Sequence, residues 1–315
     1  HHAKEHLQLP CKLFGLLMLL NIPKKFPALE LLDKEQFSIS DLIQTNKNAK
    51  PHIKVAVLNL MPLKIDTEAD ILRIMSNSPL YIHLDFIYLE SHTPKNTPIE
   101  HIHKYYKPFS SIKDTKYDGF IVTGAPVELM PFEEVRYWTE LEGVFNWARQ
   151  NVTSSLYICW GAQAALHHFH GVPKYELEKK LFGIYPHTVV DTSFPLFRGF
   201  DDVFYVPHSP HTTILKEDIL KHPELKIHSE TDEAGIYLVA DTSRSEFFIT
   251  GHSEYAPMAL HKEYTRDMKK GLNTVGVPYN YYPDNDPSKS PLVLWRSHSS
   301  LLFNNWLHYF CYFST

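Results

Sequence analysis

Cys159 closes a short apolar run, Ser155-Leu156-Tyr157-Ile158-Cys159, and Trp160-Gly161-Ala162-Gln163-Ala164-Ala165-Leu166 follows without a gap. The first stretch predicts a strand and the second is rich in helix formers, so the thiol falls at a strand-to-helix junction. Gly161, two residues on, relieves crowding in a sharp turn. This is the layout of a nucleophile elbow with sulfur in place of the serine oxygen. The N–H groups of the first helical turn would favour a thiolate there, and the N–H of Trp160 is placed to donate to an oxyanion. Taken alone, the pattern fits a buried, inert cysteine at a strand end equally well.

A second junction shifts that balance. Glu246-Phe247-Phe248-Ile249-Thr250 predicts another strand, and Gly251-His252-Ser253-Glu254 follows it. Residues i and i+2 of an extended segment project to one side, which puts His252 beside Glu254. A carboxylate in that place fixes the imidazole tautomer and leaves the other ring nitrogen free to take a thiol proton. Parallel strands share their C-terminal edge, so both junctions belong to one edge of a sheet. Cys159, His252 and Glu254 then read as nucleophile, base and orienting carboxylate.

The elements that carry these residues alternate in kind. Short apolar runs at residues 53–60, 81–89 and 119–123 predict buried strands. Residues 67–77 predict a helix, and residues 132–149 another, with Phe132, Val135, Trp138, Leu141, Phe145 and Ala148 on one face. Alternation of this kind implies an α/β fold with a mostly parallel sheet flanked by helices. The aromatic stretch 300–313 predicts a helix packed on the body. No Gly/Ser-rich linker interrupts the chain, so residues 21–315 read as a single domain. Residues 1–20, with the apolar run 13–20 and no small-residue cleavage site after it, read as an ill-defined extension.

Composition bounds the rest. The chain has 315 residues, 43% hydrophobic and 21% charged, with a formal charge of −5. A net acidic chain without a Lys/Arg run argues against nucleic acid as partner, and no stretch approaches the roughly 20 apolar residues of a membrane span. Cys11, Cys159 and Cys311 are odd in number and far apart, which fits a reducing cytoplasm better than a disulfide framework. His101/His103, His167/His168/His170 and His208/His211 could each be read as metal ligands. None has the partners of a zinc motif, so no metal is expected.

Many motifs, in order, carry a resemblance to a known family: NLMPLKIDTEADILRIMSNSPL, NTPIEH, VTGAPVELMPFEEVRYW, CWGAQAAL, KLFGIYPH, RGFDD, GHSEY, VPYNYYPDNDP and WRSHSSLLFNNWL. Over about residues 22–313 the chain resembles the homoserine O-acyltransferase family, often named homoserine O-succinyltransferase. The resemblance implies a class I glutamine-amidotransferase-like fold, a homodimer, and a cytoplasmic step of methionine biosynthesis. It implies a two-step transfer in which acyl-CoA, a co-substrate rather than a cofactor, acylates Cys159 and the homoserine hydroxyl takes the acyl group. Cys159 then matches the family's nucleophile, His252 its proton acceptor and Glu254 its triad carboxylate. Lys64 matches a lysine near the oxyanion site, and Lys180, Ser209 and Arg266 match substrate-binding positions; an arginine suits the homoserine carboxylate.

Glu128 stands where the family carries either Glu or Gly. The Glu form goes with acetyl transfer, so the resemblance implies acetyl-CoA rather than succinyl-CoA as donor. Two segments depart from the family. Its Pro-His-Ser-Arg-Tyr is here Pro207-His208-Ser209-Pro210-His211, without the arginine, and its Gly-His-Pro-Glu-Tyr-Asp is Gly251-His252-Ser253-Glu254-Tyr255-Ala256. Two other readings use the same fold. A glutamine-amidotransferase-like hydrolase would share the triad, but its glycine-flanked cysteine is replaced by one between Ile158 and Trp160. A catalytically silent binding protein would have kept the fold while Pro210, His211 and Ala256 drifted. Thiol labelling separates the second from an enzyme, and product analysis separates hydrolysis from transfer.

Overall fold

The structure, a computed structural model, describes residues 20–23, 25–35, 50–272 and 276–313. Its strands in chain order are β1 (Leu20–Asn21), β2 (Ile53–Leu58), β3 (Ile82–Tyr88), β4 (Tyr106–Pro108), β5 (Tyr117–Val122), β6 (Val152–Ile158), β7 (Tyr175–Glu176), β8 (Gly183–Val189), β9 (Val203–His208), β10 (Thr212–Thr213), β11 (Lys226–Thr231), β12 (Gly235–Asp241) and β13 (Glu246–Ile249). The helices are α1 (Ala28–Lys34), α2 (Lys64–Met75), α3 (Ile99–Tyr105), α4 (Trp138–Asn151), α5 (Trp160–His170), α6 (Lys216–Ile219), α7 (Ala259–Lys269) and α8 (Arg296–Trp306).

One large sheet runs in the order β1-β3-β2-β5-β6-β13-β12-β11-β8-β9, with β4 also on β3; β7 and β10 form a separate ribbon. From β1 to β13 neighbours are parallel; from β13 to β9 they are antiparallel. The change of sense follows from connection length. Parallel neighbours need a crossover, which α2, α4 and α5 supply, whereas β11–β12 and β12–β13 are joined by tight turns. Gly235 and Ser245 sit in those turns with φ of 76° and 51°. Alternation in the sequence therefore foretold the parallel half alone.

Burial on both faces explains the apolar strands. In β2, Val55 and Val57 join a core with α1, α2 and α8, while Ala56 and Leu58 join one with α4 and α5. Val55, Val57 and Leu58 each contribute about 1.5–3 kcal/mol by leaving water. Of the extension expected at residues 1–20, only Leu20 is described; it pairs with Ile82 in the sheet. The rest lies outside the described residues.

The helix expected at 132–149 is two elements. Phe132–Glu134 is a short 3-10 turn, Val135 is extended (φ −66°, ψ 124°), and α4 begins at Trp138. The break lets Phe132 stack on His167, with ring centroids 4.5 Å apart, while Trp138 approaches the same imidazole at 5.9 Å. An unbroken helix would tie the two rings to one fixed rotation. The C-terminal aromatic stretch does form a helix, α8, which continues as a π-helical turn over Leu307–Tyr312. No helix among the described residues is long and apolar enough to cross a membrane.

Candidate active site

The end of β6 and the start of α5 meet at Cys159, whose φ of 52° and ψ of −117° no extended or helical residue adopts. Strain of this sort persists only where neighbours enforce it. Here the Cys159 N–H donates to the Ile249 carbonyl at 2.7 Å, tying the elbow to β13, and Gly161 lets the turn close against β5. A Cβ on Gly161 would stand 2.6 Å from the Thr123 carbonyl oxygen. Trp160 opens α5, so its N–H is among the first-turn donors that no intrahelical carbonyl can take. The indole packs inward near Phe132 and Tyr137.

The end of β13 carries the base. His252 Nδ1–H donates to Glu254 Oε1 at 2.8 Å, and both side chains are buried. The imidazole stacks on Tyr255, centroids 4.2 Å apart and planes 8° from parallel. Burial opposes its charging, but negative charge on the adjacent Cys159 sulfur and on Glu254 outweighs that and holds its pKa well above the usual 6.5. Gly251 has no room for a side chain: a Cβ would lie 2.4 Å from Val206 Cγ1. The expected nucleophile, base and carboxylate are thus brought together.

Cys159 and His252 open onto a cavity of about 740 Å³. Glu128, Lys180, Ser209 and Arg266, which the resemblance marks for acyl choice and substrate binding, all line it. Glu128 is fixed in place: Oε1 accepts from the His211 N–H at 2.9 Å and Oε2 from the Thr212 hydroxyl at 3.0 Å. Lys180 pairs with Glu263 at 3.1 Å and Asp267 at 3.4 Å and lies over the Phe182 ring. The hydroxyls of Ser209 and Tyr255 also donate to Glu263, at 3.3 and 3.1 Å. Arg266 is half exposed, and its Nε and Nη2 share one oxygen of Asp267.

Lys64 lies elsewhere. Its ammonium donates to the carbonyls of Asn59 at 2.6 Å and Met61 at 3.1 Å, and it lines a neighbouring cavity, not the one containing Cys159. Burial lowers its pKa to about 8, against the pull of Glu68. The resemblance puts Lys64 near the oxyanion site; in the fold its ammonium is held by the Asn59 and Met61 carbonyls, in the wall of the neighbouring cavity.

Several residues were missed. Glu263 organises Lys180, Ser209 and Tyr255, but an acid within a charged amphipathic helix gives no sequence signal. Gly124 was visible only as a strand terminator, yet a Cβ there would meet His252 Cε1 at 3.2 Å and Cys159 Cβ at 3.4 Å. Lys174 tethers the loop after β5 through the carbonyls of Glu128 and Met130 while lying over the Phe132 ring. As for metals, His101, His167 and His168 each bond a carboxylate, of Glu68, Glu133 and Glu142 respectively. Among the described residues, possible cation ligands gather at His170, with His222 and Glu224 or with Asp241 and Glu246, and none of these lines the thiol cavity.

The chain is similar to known proteins in sequence and in fold. The profile of the homoserine O-succinyltransferase family matches residues 19–315. A homoserine O-acetyltransferase of Parabacteroides distasonis is 54% identical over 298 residues, covering 95% of this chain and 96% of its own. One of Desulfitobacterium hafniense is 52% identical over 299 residues, covering 95% and 97%. Among solved structures, a glutamine amidotransferase from Thermotoga maritima superposes with a TM-score of 0.56 at 14% identity, over 83% of this chain and 99% of its own. That likeness shows the class I glutamine-amidotransferase fold.

Proposed function

The chain belongs to the homoserine O-succinyltransferase family, and from that premise we propose that it moves the acetyl group of acetyl-CoA to the hydroxyl of homoserine through a thioester on Cys159. The observation that carries this reading is the Cys159–His252–Glu254 set at a cavity whose wall presents a fixed Glu128 carboxylate.

In the first step His252 takes the Cys159 proton, and the sulfur attacks the acetyl carbon. The carbonyl oxygen gains charge facing the Trp160 N–H. The C–S bond to CoA breaks, and the proton on His252 leaves with the CoA sulfur. In the second step His252 takes the proton of the homoserine hydroxyl, whose oxygen attacks the thioester. Collapse releases O-acetylhomoserine, and the proton returns to the Cys159–His252 pair. Glu254 holds Nδ1 throughout, which keeps the other nitrogen facing the reacting atoms. Arg266 and Lys180 suit the homoserine carboxylate, and Glu263 its ammonium group.

Brief exposure to acetyl-CoA without homoserine, followed by mass spectrometry of the intact protein and its peptides, should find one acetyl group, on Cys159. His252→Ala should slow transfer by a factor on the order of 10² or more. Full activity in Cys159→Ser would refute the reading, and release of free acetate with homoserine present would favour a hydrolase.

A further inference from the structure

Beside the thiol cavity lies a second one of about 490 Å³, and the two share Met61, Pro62, Pro126, Val127 and Met130 as a common wall. Their charge differs sharply. The thiol cavity is lined by the cations Lys180, Lys262 and Arg266 and by the carboxylates Asp66, Asp70, Glu128 and Glu263. The second is lined by Lys64, Lys95 and Arg136 against Glu134 alone. Lys95 and Arg136 are exposed, and among the described residues neither forms an ion pair with a carboxylate. The three cations bear on one group: His92, also in this wall, has its pKa lowered by burial and then by Lys64, Arg136 and Lys95. In a chain of net charge −5 such a local excess of positive charge marks a place for an anion.

The ridge between the cavities is apolar, and Leu63, Leu129 and Met130 beside it are 51%, 59% and 40% exposed. An anion seated in the second cavity could therefore extend a less polar arm across Met61 and Val127 toward Cys159. We propose that the second cavity holds the phosphate-bearing part of the acyl donor, with Lys95 and Arg136 as its anion ligands, the buried Lys64 ammonium adding to the positive field, and the ridge as the track of its thioester arm. This rests on the reading that the donor is a CoA thioester. The thiol cavity, where carboxylates outnumber cations, is left to homoserine and the acyl group.

The test titrates the full-length chain by calorimetry with free CoA and, separately, with pantetheine, which has the same thiol arm and no nucleotide diphosphate. The Lys95→Ala/Arg136→Ala double variant should bind CoA about tenfold or more weakly, on the scale of charge-assisted contacts to phosphate. Its affinity for pantetheine should stay within about twofold of wild type, and Arg136→Lys alone should keep most CoA affinity. CoA affinity unchanged in the double variant overturns the proposal. So does an equal loss for both ligands, which is a fault of shape rather than of charge, or a tenfold loss on Lys262→Ala instead. Failure of the functional reading shows differently: CoA binds as expected, yet acetyl-CoA leaves no acetyl group on Cys159.

Discussion

In the proposed transfer Cys159, His252 and Glu254 do the covalent chemistry, and Glu128 selects the acyl group. Its carboxylate cannot swing aside without breaking bonds to both His211 and Thr212. The distal carboxylate of a succinyl group brought within about 4 Å would meet a repulsion of roughly 4 kcal/mol in a medium of intermediate dielectric. A residue of about 1.4 kcal/mol after relaxation is still tenfold in rate. Glu128→Gly should therefore raise kcat/KM for succinyl-CoA relative to acetyl-CoA by about tenfold or more, and an unchanged donor ratio would remove Glu128 from the acyl pocket. Lys64 offers a test by pH. Its folded pKa of about 8 lies below the 10.5 of a free lysine, so the folded state binds fewer protons between those values. Stability should accordingly rise as pH climbs from 8 toward 10.5, because the buried ammonium's cost is relieved there. Chemical denaturation across that range should show the rise in wild type and a flatter line in Lys64→Met.

At the scale of elements, the elbow depends on how closely α5 can approach β5. Gly161 makes that approach, and alanine there would push against the carbonyls of Thr123 and Val122. Overpacking of this kind costs about 1–3 kcal/mol, and any shift of the turn moves the Cys159 sulfur and the Trp160 N–H together. Gly161→Ala should lower both unfolding stability and kcat. Gly143 is the control: it is exposed in α4, a Cβ would touch nothing within 4 Å, and Gly143→Ala should stabilise by about 0.5–1 kcal/mol with activity unchanged. Equal effects at the two glycines would mean that the elbow's close contact is not what matters. The loop after β5 is fixed by Lys174, a residue on a different segment, and so the position of Glu128 is a property of two elements packed together.

For the whole molecule, α8 packs on the face of the sheet away from α4 and α5, against the starts of β5 and β6. Trp306 is fully buried, its Nε1 donates to Ser154 at 2.9 Å, and its ring lies over Gly119 of β5 together with Cys311. Trp306→Ala should cost about 3–5 kcal/mol, read as a lower denaturation midpoint. The homodimer that the family resemblance implies is checked by light scattering, which should return about twice the chain mass; a single chain mass at micromolar concentration would exclude it.

The grouping of Cys159, His252 and Glu254 was legible because its parts are local. Strand-end Cys159 with Gly161, and Gly251-His252 with Glu254 two residues on, are patterns within a few positions, and parallel strands put both on one edge. Family resemblance added Glu128, Lys180, Ser209 and Arg266, all of which the fold sets around one cavity. Other features lay beyond the sequence because they depend on contacts between distant segments. Phe132 and Trp138 keep helical spacing, yet packing on His167 breaks the helix between them. The antiparallel half of the sheet is chosen by tight turns that look like ordinary loops. Lys64 and Glu263 are plain charged residues on helices until folding decides which faces a backbone turn and which faces a cavity. Side-chain type and short-range spacing fix what chemistry is possible, while burial and long-range contact fix where each charge points.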